Sequence, residues 1–146
     1  LFDVGCRKDG YCADMTRTFF YKKVPSEKHR AIYETVRRAN AAAEAILKPG
    51  VPLCEVDKAA RQIIEDAGYG PNFTHRLGHF IGLEVHEYGD VSSANTKVAE
   101  VGNIFSIEPG IYVEGEVGVR IEDLVLITED GCEILNSFSK ELDIVD

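Results

Sequence analysis

A chain of 146 residues, 45% of them hydrophobic and 28% charged, is long enough to bury one sizeable core and too apolar to be disordered. Its net charge of −9, from 25 acidic against 16 basic residues, argues against a nucleic-acid or anionic-membrane surface. No stretch approaches the roughly 20 apolar residues of a membrane span. No signal-peptide pattern stands at the start, and Cys6, Cys12, Cys54 and Cys132 form no Cys-x-x-Cys pair, which fits reduced thiols in a cytoplasmic protein.

Leu1 to Gly5 and Tyr11 to Tyr21 read as two strands joined by a turn at Arg7-Lys8-Asp9-Gly10, since Asp-Gly is a strong hairpin signal. The opening residues read as the middle of a buried strand, which predicts further chain upstream. Pro25-Ser26 starts a helix with Ser26 as its cap. Ile32, Val36, Ala39, Ala43 and Ile46 give that helix one apolar face, and Lys48-Pro49-Gly50 stops it. A second helix runs over Val56, Ala59, Ala60, Ile63, Ile64 and Ala67 and closes at Gly68, before a loop to Arg76. The remainder reads as β: His79 to His86, Ile104 to Glu108, Ile111 to Glu114, Val117 to Ile127 and Cys132 to Leu135. Gly89 to Gly102 reads as a polar loop and Asp130-Gly131 as a tight turn. The expected class is α+β, with two helices packed on a mostly antiparallel sheet.

Chemistry concentrates in three clusters. Asp3 and Asp14 fall on opposite arms of the predicted hairpin, where paired strands bring side chains together. His75, His79 and His86 lie within twelve residues, among glycines that permit close backbone approach. Glu108 and Glu122 interrupt apolar strands, and buried acids need partners. Glu122 has a simple structural alternative, an ion pair with Arg120; Glu108, followed by Pro109-Gly110, has no cation nearby in sequence. Four carboxylates and one imidazole would balance two divalent cations, whereas the same acids without metal would repel one another or take up protons. Four oxygen donors to one nitrogen favour Mn²⁺ or Co²⁺, with Fe²⁺ or Zn²⁺ as alternatives. Such a pair of ions would activate a bridging hydroxide and polarise a scissile carbonyl.

Asp3-Val4-Gly5, Ala13-Asp14-Met15-Thr16-Arg17-Thr18, Gly78-His79-Phe80-Ile81-Gly82, His86-Glu87, Ile107-Glu108-Pro109-Gly110-Ile111-Tyr112 and Gly118-Val119-Arg120-Ile121-Glu122-Asp123 together resemble the pita-bread metallopeptidases. This is the family of methionine aminopeptidases, prolidases and aminopeptidase P. The order of the motifs matches over nearly the whole chain, and Arg-Ile-Glu-Asp with Asp-Met-Thr-Arg-Thr resembles the Xaa-Pro branch.

The resemblance implies a partial pita-bread fold, with residues 1–146 as one incomplete catalytic domain lacking its upstream part and an N-terminal domain. It implies that Asp3, Asp14, His79, Glu108 and Glu122 hold two metal ions, Asp14 and Glu122 bridging them, and that Glu108 is also the general acid/base. His75 and His86 would contact substrate and stabilise the tetrahedral intermediate. Arg120 would orient Asp14 or Glu122, or touch substrate. The implied substrate is a peptide with proline at its second position, and the implied full-length assembly a homodimer. Gly89 to Ala99 contains no arginine, so that loop offers no anchor for a dipeptide's carboxylate and leaves dipeptidase against aminopeptidase open. A non-catalytic peptide-binding module and a metal-free C–N hydrolase on the same fold are the alternatives; five intact ligands speak against both.

Overall fold

The computed structural model describes residues 1–146. The expected hairpin forms from β1 (Phe2–Lys8) and β2 (Tyr11–Arg17), but Arg7 and Lys8 belong to the strand, leaving Asp9-Gly10 as the turn, and β1 is exposed along its whole length rather than buried. Asp9 and Gly10 both take positive φ, 52° and 91°, the turn geometry whose twist matches antiparallel strands. The expected Tyr11–Tyr21 strand is broken at Thr18, and β3 (Phe19–Tyr21) continues in another direction, pairing in parallel with β11 (Asp143–Val145), a strand the sequence reading does not anticipate.

Helix α1 (Glu27–Ile46) starts as predicted, with the Ser26 hydroxyl accepting from the His29 amide at 3.4 Å. Its buried face carries Ile32, Tyr33, Val36, Ala39 and Ala43; Ile46 is more exposed than its spacing suggests, because the helix ends there. Helix α2 (Leu53–Asp66) begins three residues earlier than its apolar spacing predicts and packs Leu53, Val56, Ala60 and Ile64 into the same core. The core is completed by Phe105, Ile107, Ile111, Val119, Ile121, Val125 and Ile127 from the sheet. No helix is long and apolar enough to cross a membrane. All four cysteines are unpaired.

The sheet is antiparallel apart from β3–β11. Strand β6 (Ile104–Ile107) pairs with β9 (Asp123–Ile127), β9 with β10 (Cys132–Ile134), and β7 (Gly110–Val113) with β8 (Val117–Arg120). The short β4 (Gly78–His79) pairs with β5 (Asp90–Val91), which lies inside the expected polar loop. Single bridges tie β2 to the residue before β9, Thr16 to Glu122, and the end of β4 to β6, Phe80 to Phe105.

Two expected strands need correction. His79 to His86 pairs only at His79, in β4, and at Phe80, in its single bridge to Phe105. Beyond it Leu83 and Val85 are exposed, and the Glu87 carboxylate accepts from the Leu83 amide at 2.7 Å, so a side-chain-capped loop replaces the strand. Val117 to Ile127 is two strands. At Ile121-Glu122 the backbone changes partner, the Glu122 amide donating to the Thr16 carbonyl at 3.1 Å. That switch turns Glu122 inward, toward β2.

Candidate metal centre

Register places the first cluster. Asp14 stands opposite Gly5 and Asp3 opposite Thr16, so the two aspartates are diagonal neighbours on one face of the hairpin rather than directly paired. Thr16, two residues beyond Asp14, shares that face and donates its hydroxyl to Glu122 Oε2 at 2.6 Å. Glycine is required at 78, where a Cβ would sit 1.8 Å from the Ser106 carbonyl oxygen. This close approach lets the His79 amide donate to Ser106 Oγ at 2.9 Å, while that hydroxyl donates to Glu108 Oε1 at 3.0 Å.

The result is a convergence on one atom. His79 Nε2 lies 3.6 Å from Glu108 Oε1, 3.7 Å from Asp14 Oδ2 and 3.8 Å from Glu122 Oε1. These separations are too long for hydrogen bonds. Those of Asp14, His79 and Glu122, whose donor atoms all lie within 4.8 Å of one another, suit ligands of a common cation, and Glu108 borders that group through His79. His79 Nδ1 faces the Phe80 carbonyl at 3.2 Å, which can only accept, so Nδ1 carries the proton. Holding one ring nitrogen on a carbonyl to aim the other is the usual support of a metal-ligating histidine.

The charge balance supports the same fit. The Asp14 carboxylate accepts no side-chain hydrogen bond and has His79 as its sole ion-pair partner. Burial, then Glu122 and Asp3, pushes it up to about 6. Burial, then Glu122, pushes Glu108 up to about 7. For His79, burial acts downward, and Glu122, the Phe80 carbonyl and Glu108 outweigh it, raising the imidazole above 6.5. Acids held this far above their ordinary range, around an imidazole that strains toward protonation, are short of positive charge. A divalent cation would supply it.

Asp3 stands apart from this group. Its half-exposed carboxylate pairs with Arg120. Arg120 donates Nε to Thr16 Oγ1 at 3.1 Å and a terminal nitrogen to the Tyr112 hydroxyl at 3.2 Å, and its Nε lies 4.0 Å from Glu108 Oε2. Arg120 thus forms no ion pair with Glu122, so the simple structural alternative for Glu122 does not describe this site. Glu108 does have a cation nearby, one that sequence distance conceals.

The flanking histidines differ from each other. His75 Nδ1 lies 2.7 Å from the Arg76 carbonyl, so it is the protonated nitrogen, and Nε2 accepts from the Tyr112 hydroxyl at 3.1 Å. Arg120, Tyr112 and His75 therefore form a directed chain, Arg120 donating to Tyr112 and Tyr112 to His75. Burial lowers the His75 pKa, which keeps it neutral in this role. His86 is exposed, stands edge-on to His79 with centroids 4.2 Å apart, and has no hydrogen-bond partner. A recess of about 460 Å³ opens beside these groups, lined by His75, Arg76, His86, Asp90, Glu108 and Arg120. Within it the Arg76 guanidinium makes neither a hydrogen bond nor an ion pair, while the Arg76 carbonyl accepts from His75.

Sequence reasoning overlooks Thr16, Ser106, Tyr112 and Arg76. Thr16 was signalled by its period-2 spacing from Asp14, and Ser106 by the same spacing before Glu108. Tyr112 and Arg76 carried no such signal, because what gives them meaning is proximity across loops.

Comparison with known proteins follows this geometry. The profile of Metallopeptidase family M24 matches residues 1–129. An uncharacterized peptidase of Staphylococcus haemolyticus, SH1217, is 53% identical over 140 residues, spanning 96% of this chain and 40% of that relative. Prolidase from Pyrococcus furiosus superposes with a TM-score of 0.91 at 44% identity, over 94% of this chain and 40% of its own. Xaa-Pro dipeptidase from Bacillus anthracis gives 0.95 at 40% identity, over 98% of this chain and 40% of its own. The chain spans about 40% of the length of these relatives. Two helices on a curved, mostly antiparallel sheet are thus part of the pita-bread fold of prolidases, and this chain belongs to metallopeptidase family M24.

Proposed function

We propose that the full-length polypeptide carrying this chain is a dinuclear metal-dependent peptidase that hydrolyses Xaa-Pro bonds. This chain supplies the part of the catalytic domain that holds the ligands. The observation that carries the reading is the convergence of Asp14, Glu108 and Glu122 on His79 Nε2 beside an open recess. Two divalent ions, Mn²⁺ or Co²⁺ by the oxygen-rich donor set, would be held by these four residues with Asp3. Bound there, they lower the pKa of water and polarise a peptide carbonyl.

The chain's own residues do the rest. Glu108, beside His79 at the edge of the recess, takes a proton from the attacking water and returns it to the departing proline nitrogen. His86, with its ring unpartnered at the recess, donates to the carbonyl oxygen as charge develops there. His75 acts through Tyr112, which it fixes against Arg120. Arg120 in turn holds Asp3 and Thr16 in place. The four unpaired cysteines support a reducing, cytoplasmic setting.

Arg76 supports the dipeptidase form of this reading. A free guanidinium at the edge of the recess matches a planar carboxylate with two parallel hydrogen bonds. Mn²⁺-loaded full-length protein is expected to cleave Xaa-Pro dipeptides faster than Xaa-Ala dipeptides, and faster than the same Xaa-Pro dipeptides amidated at the C-terminus. Arg76→Met is expected to remove the preference for the free carboxylate while leaving the amidated substrate unchanged. Equal rates on Xaa-Pro and Xaa-Ala would sink the proline specificity. No cleavage of any peptide would favour a non-catalytic binding module.

A further inference from the structure

The segment after β10 lies beyond the 1–129 family match, yet it is tied to the backbone of both proposed bridging ligands. Asn136 Nδ2 donates to the Asp14 carbonyl at 3.0 Å, and Asn136 Oδ1 accepts from the Leu124 amide at 2.6 Å. One side chain therefore fastens the residue carrying one ligand to the strand that follows the other.

Three residues beyond Asp14, Arg17 repeats the arrangement. Its side chain is 2% exposed, and all five N–H groups are engaged. Nε donates to the Ser139 carbonyl at 3.0 Å. One terminal nitrogen donates to the carbonyls of Thr16 at 2.9 Å and Glu122 at 2.6 Å. The other donates to Asp123 Oδ1 at 2.7 Å and the Phe138 carbonyl at 2.8 Å. Lys140 then closes the cluster, reaching Asp123 Oδ2 at 3.0 Å, Glu44 Oε2 at 2.7 Å and Asn40 Oδ1 at 2.9 Å. Asn40 in turn donates to the Ile107 carbonyl at 3.0 Å, next to Glu108. Two acids and two bases make the buried cluster neutral, which is the condition under which buried charges are tolerated.

From this we infer that residues 136–140 are a clamp that positions the metal-binding carboxylates, with Asn136 and Arg17 as positioning residues. A metal site needs its ligands held to within roughly half an ångström, and side chains alone do not set that when their backbones are free to shift. Asp14 lies in the middle of β2, which has a ladder partner, β1, on one edge only, and Glu122 lies at the break between β8 and β9, so the backbone of each has a side that no neighbouring strand supports. The clamp supplies hydrogen bonds there.

The inference rests on the metal-centre reading, and the test separates the two. Mn²⁺ binding to the full-length protein is measured by titration calorimetry for wild type, Asn136→Ala, Asn136→Asp and, as a control, Glu133→Ala on the exposed side of β10. Asn136→Asp keeps the shape and replaces the amide donor with an oxygen facing the Asp14 carbonyl. Both Asn136 variants are expected to bind Mn²⁺ about tenfold or more weakly, the usual loss when support behind a ligand is removed. Their metal-free melting temperatures should stay close to wild type, and Glu133→Ala should bind as wild type does. Unchanged affinity in both Asn136 variants overturns the clamp, as does unfolding of both without metal, since the segment would then hold the fold rather than the site. A wild type that binds no Mn²⁺ overturns the metal-centre reading instead.

Discussion

Glu108→Gln in the full-length protein is expected to lower kcat on an Xaa-Pro dipeptide by about 10²–10⁴-fold, the range that a positioned general acid/base contributes. The substitution is nearly isosteric. An amide oxygen can still accept from Ser106 Oγ, so the local packing that aims His79 is preserved. What disappears is the titratable proton and one negative charge facing His79 Nε2. Because the acid is held up at about 7 by burial and by Glu122, its removal relieves repulsion in the metal-free protein while weakening the hold on metal. The measurement is steady-state kinetics at saturating Mn²⁺ alongside a thermal melt of the metal-free protein. Activity within tenfold of wild type would remove Glu108 from the chemistry.

The second large effect is on stability against pH. Glu108 is raised from 4.5 to about 7 and Asp14 from 3.8 to about 6, so in the folded, metal-free protein both bind a proton more tightly than in the unfolded chain. A raised carboxylate stabilises the fold relative to its charged form below the unfolded pKa. That advantage is lost as pH climbs toward the folded pKa. His79 is also raised and acts in the same direction, its contribution present below 6.5 and lost above the folded value. Metal-free protein should therefore lose stability between about pH 4 and 7 through these groups. Subtracting the profile of Glu108→Gln isolates the Glu108 part from every other carboxylate. Mn²⁺ should restore stability increasingly as pH rises, by about 2.7 kcal/mol once free metal is a hundredfold above Kd at one site. Melting curves in chelator and in Mn²⁺ across this range test the claim. A wild-type-minus-variant difference that is flat with pH would contradict it.

How far the sequence shows the site depends on the range of the interaction. The Asp9-Gly10 turn fixes the hairpin and with it the shared face of Asp3, Asp14 and Thr16, because turn chemistry and period-2 alternation are local. Helix α1 was legible from its cap and its apolar spacing for the same reason. The strand expected from His79 to His86 failed because Leu83 and Val85 alternate like buried residues yet face outward, over a loop held by Glu87. The single strand expected from Val117 to Ile127 failed because the Thr16 carbonyl, more than a hundred residues away, captures the Glu122 amide. That break is what makes Glu122 a site residue. The ion pair of Arg120 with Asp3 and the buried cluster around Arg17 belong to the same class, since charges meeting across the fold leave no periodic trace.

The central claim is that these residues build a centre for two divalent ions. Its most direct test is Mn²⁺ stoichiometry by calorimetry on chelator-stripped full-length protein at pH 7.5. The account predicts two ions per chain, with Asp14→Asn or Glu122→Gln disrupting both, as expected of bridging carboxylates. A wild type that takes up one ion or none, or that keeps both after loss of Asp14, would contradict it.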